Sequence, residues 1–130
     1  MAKKSSPSLI ADNRKARHDF HIHETYEAGI ALTGTEIKSI RQGKLNLKDS
    51  FCRIDKGEIL LYGVHISPYE QGNRFNHEPE RTRKLLMHKA EINKLHTQVK
   101  EKGFSLVPLT FHFSHGYVKV TVGLVTGKKL

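Results

Sequence analysis

Apolar residues recur along this chain at two different periods, and the places where the period changes mark its elements. Phe20 and Ile22 alternate with polar residues over 18–24, and 26–32 continues as a second alternating run, so the pattern predicts two strands. Helical spacing follows. Thr33 is placed to cap a helix, Glu36 at its third position completes a capping box, and Gly43 supplies a left-handed stop. Within that helix Ile37 and Ile40 share one face, while Lys38, Arg41 and Lys44 recur every three residues on a neighbouring one. One side can dock on a core while another presents positive charge.

Residues 49–54 and 58–63 then read as two strands joined by a short hairpin connection at Asp55-Lys56-Gly57. Ser67-Pro68 ends this region, and 71–79 has no apolar period, which predicts a long exposed loop. Ile92, Leu95 and Val99 fall at helical spacing before a stop at Gly103, with Leu85 and Leu86 expected to pack at the helix entrance. Val107, Leu109, Phe111 and Phe113 alternate, Ser114-His115-Gly116 turns the chain, and Val118, Val120, Val122 and Leu124 alternate again as the second arm of a hairpin. Pro108 marks an edge or an irregularity in the first arm. About six strands with one helix early and one late define an α+β, mainly β domain. An antiparallel barrel with appended helices is the compact solution; alternation by itself shows a one-sided sheet, not its closure. Residues 1–12 are expected to be a flexible N-terminal arm ahead of a single domain over 13–130.

The chain has 130 residues, enough for one core that buries about two-thirds of the surface of the unfolded chain, with no need of metals or disulfides. Cys52 is alone, cannot form an internal disulfide, and is expected as a buried or half-buried thiol in a reducing compartment. No apolar leader or membrane-length stretch occurs, so a soluble, cytoplasmic protein is expected. A formal charge of +9 changes the picture further, because such a field favours polyanions. The cations cluster at Arg14-Lys15-Ala16-Arg17, along Lys38, Arg41, Lys44 and Lys48, in Arg81-Thr82-Arg83-Lys84, and in Gly127-Lys128-Lys129. Nucleic acid is the leading partner. No long amphipathic helix combines these cations with an apolar insertion face, which ranks a membrane surface well below it.

Candidate chemistry follows the same lines. Arg81, Arg83 and Lys84 offer guanidinium forks and a point charge for phosphate oxygens, and Tyr26, Tyr69 and Phe75 are aromatics able to stack on unpaired bases. Glu27 is the acid placed to accept hydrogen bonds from base edges. His21 and His23 lie two apart on a strand, a spacing that can seed a metal site, but no second ligand pair accompanies them, and no metal or other cofactor is expected. Asp19, Glu24, Glu27 and Glu36 are not tied to a nucleophile, a base and an oxyanion donor, so no catalytic residue is assigned and no enzymatic activity is expected.

Five blocks in order, Asn13-Arg14-Lys15-Ala16-Arg17-His18-Asp19-Phe20, Tyr26-Glu27-Ala28-Gly29-Ile30, Gly34-Thr35-Glu36-Ile37-Lys38-Ser39-Ile40-Arg41, Arg81-Thr82-Arg83-Lys84-Leu85-Leu86 and Gly127-Lys128-Lys129, closely resemble the small protein B (SmpB) family, the tmRNA-binding proteins of bacterial ribosome rescue. The resemblance implies an oligonucleotide-binding-like antiparallel barrel with three appended helices. It implies an adaptor for the tRNA-like domain of tmRNA in trans-translation, bringing alanyl-tmRNA to stalled ribosomes so that incomplete proteins are tagged for degradation. The partners so implied are tmRNA, the decoding region of the ribosome and, through alanyl-tmRNA, elongation factor Tu and alanyl-tRNA synthetase. RNA-binding positions carried over are Asn13, Glu27 and Leu86, with Arg14, Lys15, Arg17, Lys38, Arg41, Arg81, Arg83 and Lys84 as neighbouring contacts and Lys128 and Lys129 facing the ribosome. Leu86 is alternatively expected to hold the surface in shape from behind. Family members generally continue past the Gly-Lys-Lys block with a basic tail, so a chain ending at Leu130 is expected to bind tmRNA and be defective in tagging. A general single-strand-binding barrel and an RNA-processing enzyme are the rival readings.

Overall fold

Strong alternation of Val, Ile and Leu with polar residues builds a sheet that closes on itself. The computed structural model describes residues 8–71 and 76–128. Its elements are β1 (Ser8–Asp12), α1 (Arg14–Asp19), β2 (Phe20–Ile30), α2 (Gly34–Arg41), β3 (Leu45–Asn46), β4 (Phe51–Asp55), β5 (Glu58–Tyr62), β6 (His65–Ile66), β7 (Arg83–Leu86), α3 (Lys89–Lys102), β8 (Ser105–Ser114) and β9 (Tyr117–Gly127). The main sheet runs β1-β8-β4-β5-β7-β2-β9, and β9 also pairs with β8. Those pairings close β8, β4, β5, β7, β2 and β9 into an antiparallel, oligonucleotide-binding-like barrel, with β1 added to β8. Closure satisfies backbone groups that an open sheet would leave along its edges.

The two hairpins form as the sequence predicts. Lys56-Gly57 and His115-Gly116 each place both central residues at positive φ, the turn whose twist matches the flanking strands. The capping box at Thr33 and Glu36 is present, and Gly43 follows α2 at φ 72°. Inside the barrel lie Ile59, Leu61, Leu85, Phe111, Val120, Val122 and Leu124, joined by Ile40 from α2 and Leu95 from α3. Each such buried side chain contributes about 1.5–3 kcal/mol of transfer free energy.

Three expectations are corrected. The N-terminal arm does not extend to residue 12, because β1 adds to β8 with Ser8 opposite Phe113 and Asp12 opposite Thr110; residues 1–7 lie outside the described residues. The two strands expected over 18–32 are α1 followed by a single strand, β2, whose ladder to β9 continues across a bulge between Ile22 and Glu24. A bulge interrupts side-chain alternation without ending the backbone ladder. The third correction concerns β8, where a bulge between Pro108 and Thr110 reverses the alternation. Val107 and Leu109 therefore face outward and form a second small core with Ala16, Phe20 and Val125, which fixes α1 on the outside of the barrel. Phe111 and Phe113 return to the inner side. Pro108 was the sequence signal of that irregularity.

Candidate nucleic-acid interface

Cross-strand register, not sequence proximity, assembles the outer face that carries Glu27 and Leu86. Ala28, Val120 and Leu85 point into the barrel, so their neighbours in sequence point out. On that outer side Leu86 of β7 is opposite Gly29 of β2, Gly29 is opposite Lys119 of β9, Lys119 is opposite His112 of β8, and His112 is opposite Leu9 of β1. A second row runs beside it through Glu27, Thr121, Thr110 and Asp12. Arg17 of α1 ends this row by pairing with Asp12 at 3.1 Å. Leu86 is half exposed and reaches over Gly29, where an added Cβ would stand only 3.3 Å from the Leu86 Cβ. Leu86 is thus part of the outer face and does not support it from behind.

Polar groups on this face are linked across three strands. Glu27 keeps 54% of its side chain exposed while its Oε2 accepts from His112 Nε2 at 3.0 Å. Thr110 Oγ1 lies 3.2 Å from His112 Nδ1 and donates to Thr121 Oγ1 at 2.9 Å. Leu9, Glu27, Thr110, His112 and Thr121 line a shallow depression of about 340 Å³. A carboxylate beside hydroxyls, an exposed leucine and a lysine can read base edges, cover an apolar face and balance phosphate charge.

The remaining cations are distributed differently. Arg14 is exposed on α1, whereas Lys15 is held by Asp19 at 2.8 Å and Asp49 at 3.7 Å. The Asp19 hydrogen bond raises the Lys15 ammonium above its ordinary value. Lys128 donates from its backbone N–H to Asp19 O, so it sits against α1; Lys129 lies outside the described residues. Lys38 and Arg41 are exposed on α2, over the rings of Tyr69 at 5.4 Å and Phe113 at 5.2 Å. Lys84 shares the outer side of β7 with Leu86 and pairs with Glu58 at 2.9 Å. Tyr26 is half buried and hydrogen bonded to Glu24, Tyr69 is half buried, and Phe75 lies outside the described residues.

Two carried-over contacts prove to be internal. Asn13 is 4% exposed: its side chain accepts from Ala16 N–H to cap α1 and donates to Pro108 O at 2.8 Å. It ties the helix to β8 and has no free atom to offer a base. Arg83 is fully buried because β7 alternates, sending Arg83 and Leu85 inward and Lys84 and Leu86 outward. Its Nε donates to Glu36 Oε2 at 2.8 Å, Nη1 to Val64 O at 2.6 Å and Nη2 to Pro79 O at 2.9 Å. Arg81 reaches the same carboxylate, with Nη2 donating to Glu36 Oε1 at 2.6 Å. Burial pushes the Glu36 carboxyl up, but the Arg81 hydrogen bond, the Thr33 N–H and Arg83 together outweigh it and hold the group down to about 2. Burial also draws Arg83 below its ordinary value, opposed by Glu36. The arginine run is therefore partly a buttress for α2 and only in part a surface.

His21 and His23 do not converge on further ligands. His23 stacks on Phe104 with ring centroids 4.8 Å apart and hydrogen bonds Thr126, and among the described residues no group of three or more His, Cys, Asp or Glu is placed to hold a metal. Burial pushes the Cys52 thiol up, away from nucleophilic reactivity. Among the described residues no helix is long and apolar enough to cross a membrane. Lys119, His112, Thr121 and Leu9 are the residues of this outer face that sequence reasoning missed. Alternation in β9 placed Lys119 and Thr121 outward; only strand pairing puts them beside Glu27.

Comparison with known proteins covers nearly the whole chain. A family model described as SmpB protein matches residues 10–130. An SsrA-binding protein of Carboxydothermus hydrogenoformans is 64% identical over 122 residues, covering 94% of this chain and 82% of that protein. Another, from Geobacillus thermodenitrificans, is 60% identical over 126 residues, covering 97% of this chain and 81% of its own. A solved structure described as "tmRNA-SmpB: a journey to the center of the bacterial ribosome" superposes with a TM-score of 0.77 at 52% identity, covering 95% of this chain and 86% of that one.

Proposed function

The chain belongs to the SmpB family, and from that premise we propose that it binds the tRNA-like domain of tmRNA and serves as its adaptor in trans-translation at stalled ribosomes. The observation that carries the reading is the two-row outer face, in which β7, β2, β9, β8 and β1 bring Leu86, Lys119, Glu27 and Thr121 side by side. A folded RNA elbow displays looped bases within dense phosphate, and such a target needs polar readout and cationic positioning together. Glu27 accepts from exposed base N–H groups, Leu86 covers an unstacked base or sugar face, and Lys119 and Arg17 position the backbone. Arg14, Lys38, Arg41 and Lys84 extend the positive field. Elongation factor Tu and alanyl-tRNA synthetase enter through alanyl-tmRNA, and the setting is the cytoplasm. Lys128 is assigned toward the ribosome. The protein contributes binding and placement, not a reaction of its own.

Competition binding tests this. The tRNA-like domain of tmRNA should outcompete an ordinary tRNA and an unstructured RNA of equal length, and the preference should survive a rise in salt that erases purely electrostatic binding. Equal, salt-erased binding to all three would leave a generic basic barrel.

A further inference from the structure

We infer that His112 is a positioning residue for RNA recognition: its imidazole holds the Glu27 carboxylate in one orientation, so that Oε2 is occupied and Oε1 is presented to the RNA. This rests on the reading of Glu27 as an RNA contact. Glu27 and His112 are 85 residues apart in sequence and on strands that are not neighbours, since β9 lies between β2 and β8. The contact therefore spans the width of β9. His112 is only 7% exposed while Glu27 is half exposed, so the ring forms the floor on which the carboxylate lies. Because a carboxylate only accepts, the pairing needs the imidazole proton on Nε2. Thr110 Oγ1, whose hydrogen goes to Thr121, stands 3.2 Å from Nδ1 and packs against the far side of the ring.

Such an arrangement has a physical consequence for binding. A free glutamate samples several rotamers and must lose that freedom when it pairs with a base; one already held by an internal donor has lost it beforehand. The bulge at Pro108 and Thr110 is what makes this possible. Were alternation to run unbroken through Leu109, His112 would point into the barrel and Phe111 out of it. The irregularity thus both seats α1 and aims His112 at Glu27.

Binding of the tRNA-like domain of tmRNA to four variants decides the matter, with folding of each checked by circular dichroism. Glu27→Ala should weaken binding about tenfold. His112→Phe, which keeps ring volume and loses the donor, should weaken it to a similar extent, and the double variant should bind no worse than Glu27→Ala. His112→Gln, whose side-chain amide can place a donor near the Nε2 position, should restore affinity to within about threefold of the unaltered chain. Full, additive losses in the double variant, or a folded His112→Phe protein with unaltered affinity beside a weakened Glu27→Ala, would overturn the inference and leave the Glu27 contact standing. An unaltered Glu27→Ala affinity would remove the contact itself, and the inference with it. Were His112→Phe not to fold, His112→Gln decides alone: affinity as low as that of Glu27→Ala rejects the role.

Discussion

Arg83→Ala is expected to destabilise the fold by about 3–5 kcal/mol, because it removes one partner from a buried ion cluster and takes a donor from Glu36 and from the Val64 carbonyl, while Pro79 O keeps the Ile66 N–H. Arg81 would remain on Glu36, but its Nε and Nη2 are engaged by that carboxylate and its Nη1 by Thr82 O, so it does not replace Arg83 at Val64 O. In a chain of this size the loss corresponds to a fall in melting temperature of about 10–20 °C. Urea denaturation measures it directly. The folded fraction of the variant should still bind RNA with little change, since no atom of Arg83 reaches the surface. A stable Arg83→Ala protein with weakened RNA binding would reverse the assignment and return Arg83 to the interface. Its position in an arginine run invites the surface reading; the strand period decides against it.

The same cluster gives the fold an acid-sensitive component. Glu36 is held at about 2 against an ordinary 4.5, so its native-state value lies below that of the unfolded chain. For a depressed carboxylate the stabilisation is complete above the unfolded value and is lost as pH falls through the folded one. The window therefore runs from about pH 4.5 down to about 2, and a shift of this size is linked to about 3 kcal/mol. Its side chain has no exposure, so solvent screening takes little from that figure. Other carboxylates also titrate in this range, which is why the measurement compares the unaltered protein with Glu36→Gln. The stability gap between them should shrink by about 2 kcal/mol between pH 5 and pH 2.5. A constant gap across that range would show that the charge on Glu36 contributes nothing to holding α2 against β7.

These two results separate what local pattern conveys from what assembly adds. The helix α2 was legible down to its capping box, because Thr33 and Glu36 satisfy each other's backbone N–H groups within a single turn. The second task of Glu36 was not legible, since Arg81 and Arg83 reach it from 45 and 47 residues away. Both hairpins were readable for the same local reason: two-residue turns with a glycine at positive φ between alternating strands. The bulge in β2 was not, because alternation shows a phase but not the added residue that resets it, and in β8 Pro108 marked an irregularity without showing the change of face. Asn13 shows the same division. Its capping of α1 is a local signature, whereas its bond to Pro108 crosses 95 residues and converts an expected contact into an internal tie.

By itself the sequence determined a mainly β domain with a positive field, the caps of α2, the glycine stop of α3, both hairpin turns, and the family whose motif blocks it carries. These depend on residue types at short spacing, where backbone geometry leaves few choices. Tertiary structure alone decided that the sheet closes, that Arg83 faces inward and Leu86 outward, and that Lys119, Thr121 and His112 stand beside Glu27. Register is a relation between distant strands: it is fixed by which faces can share one core, and no segment of the chain contains that information separately.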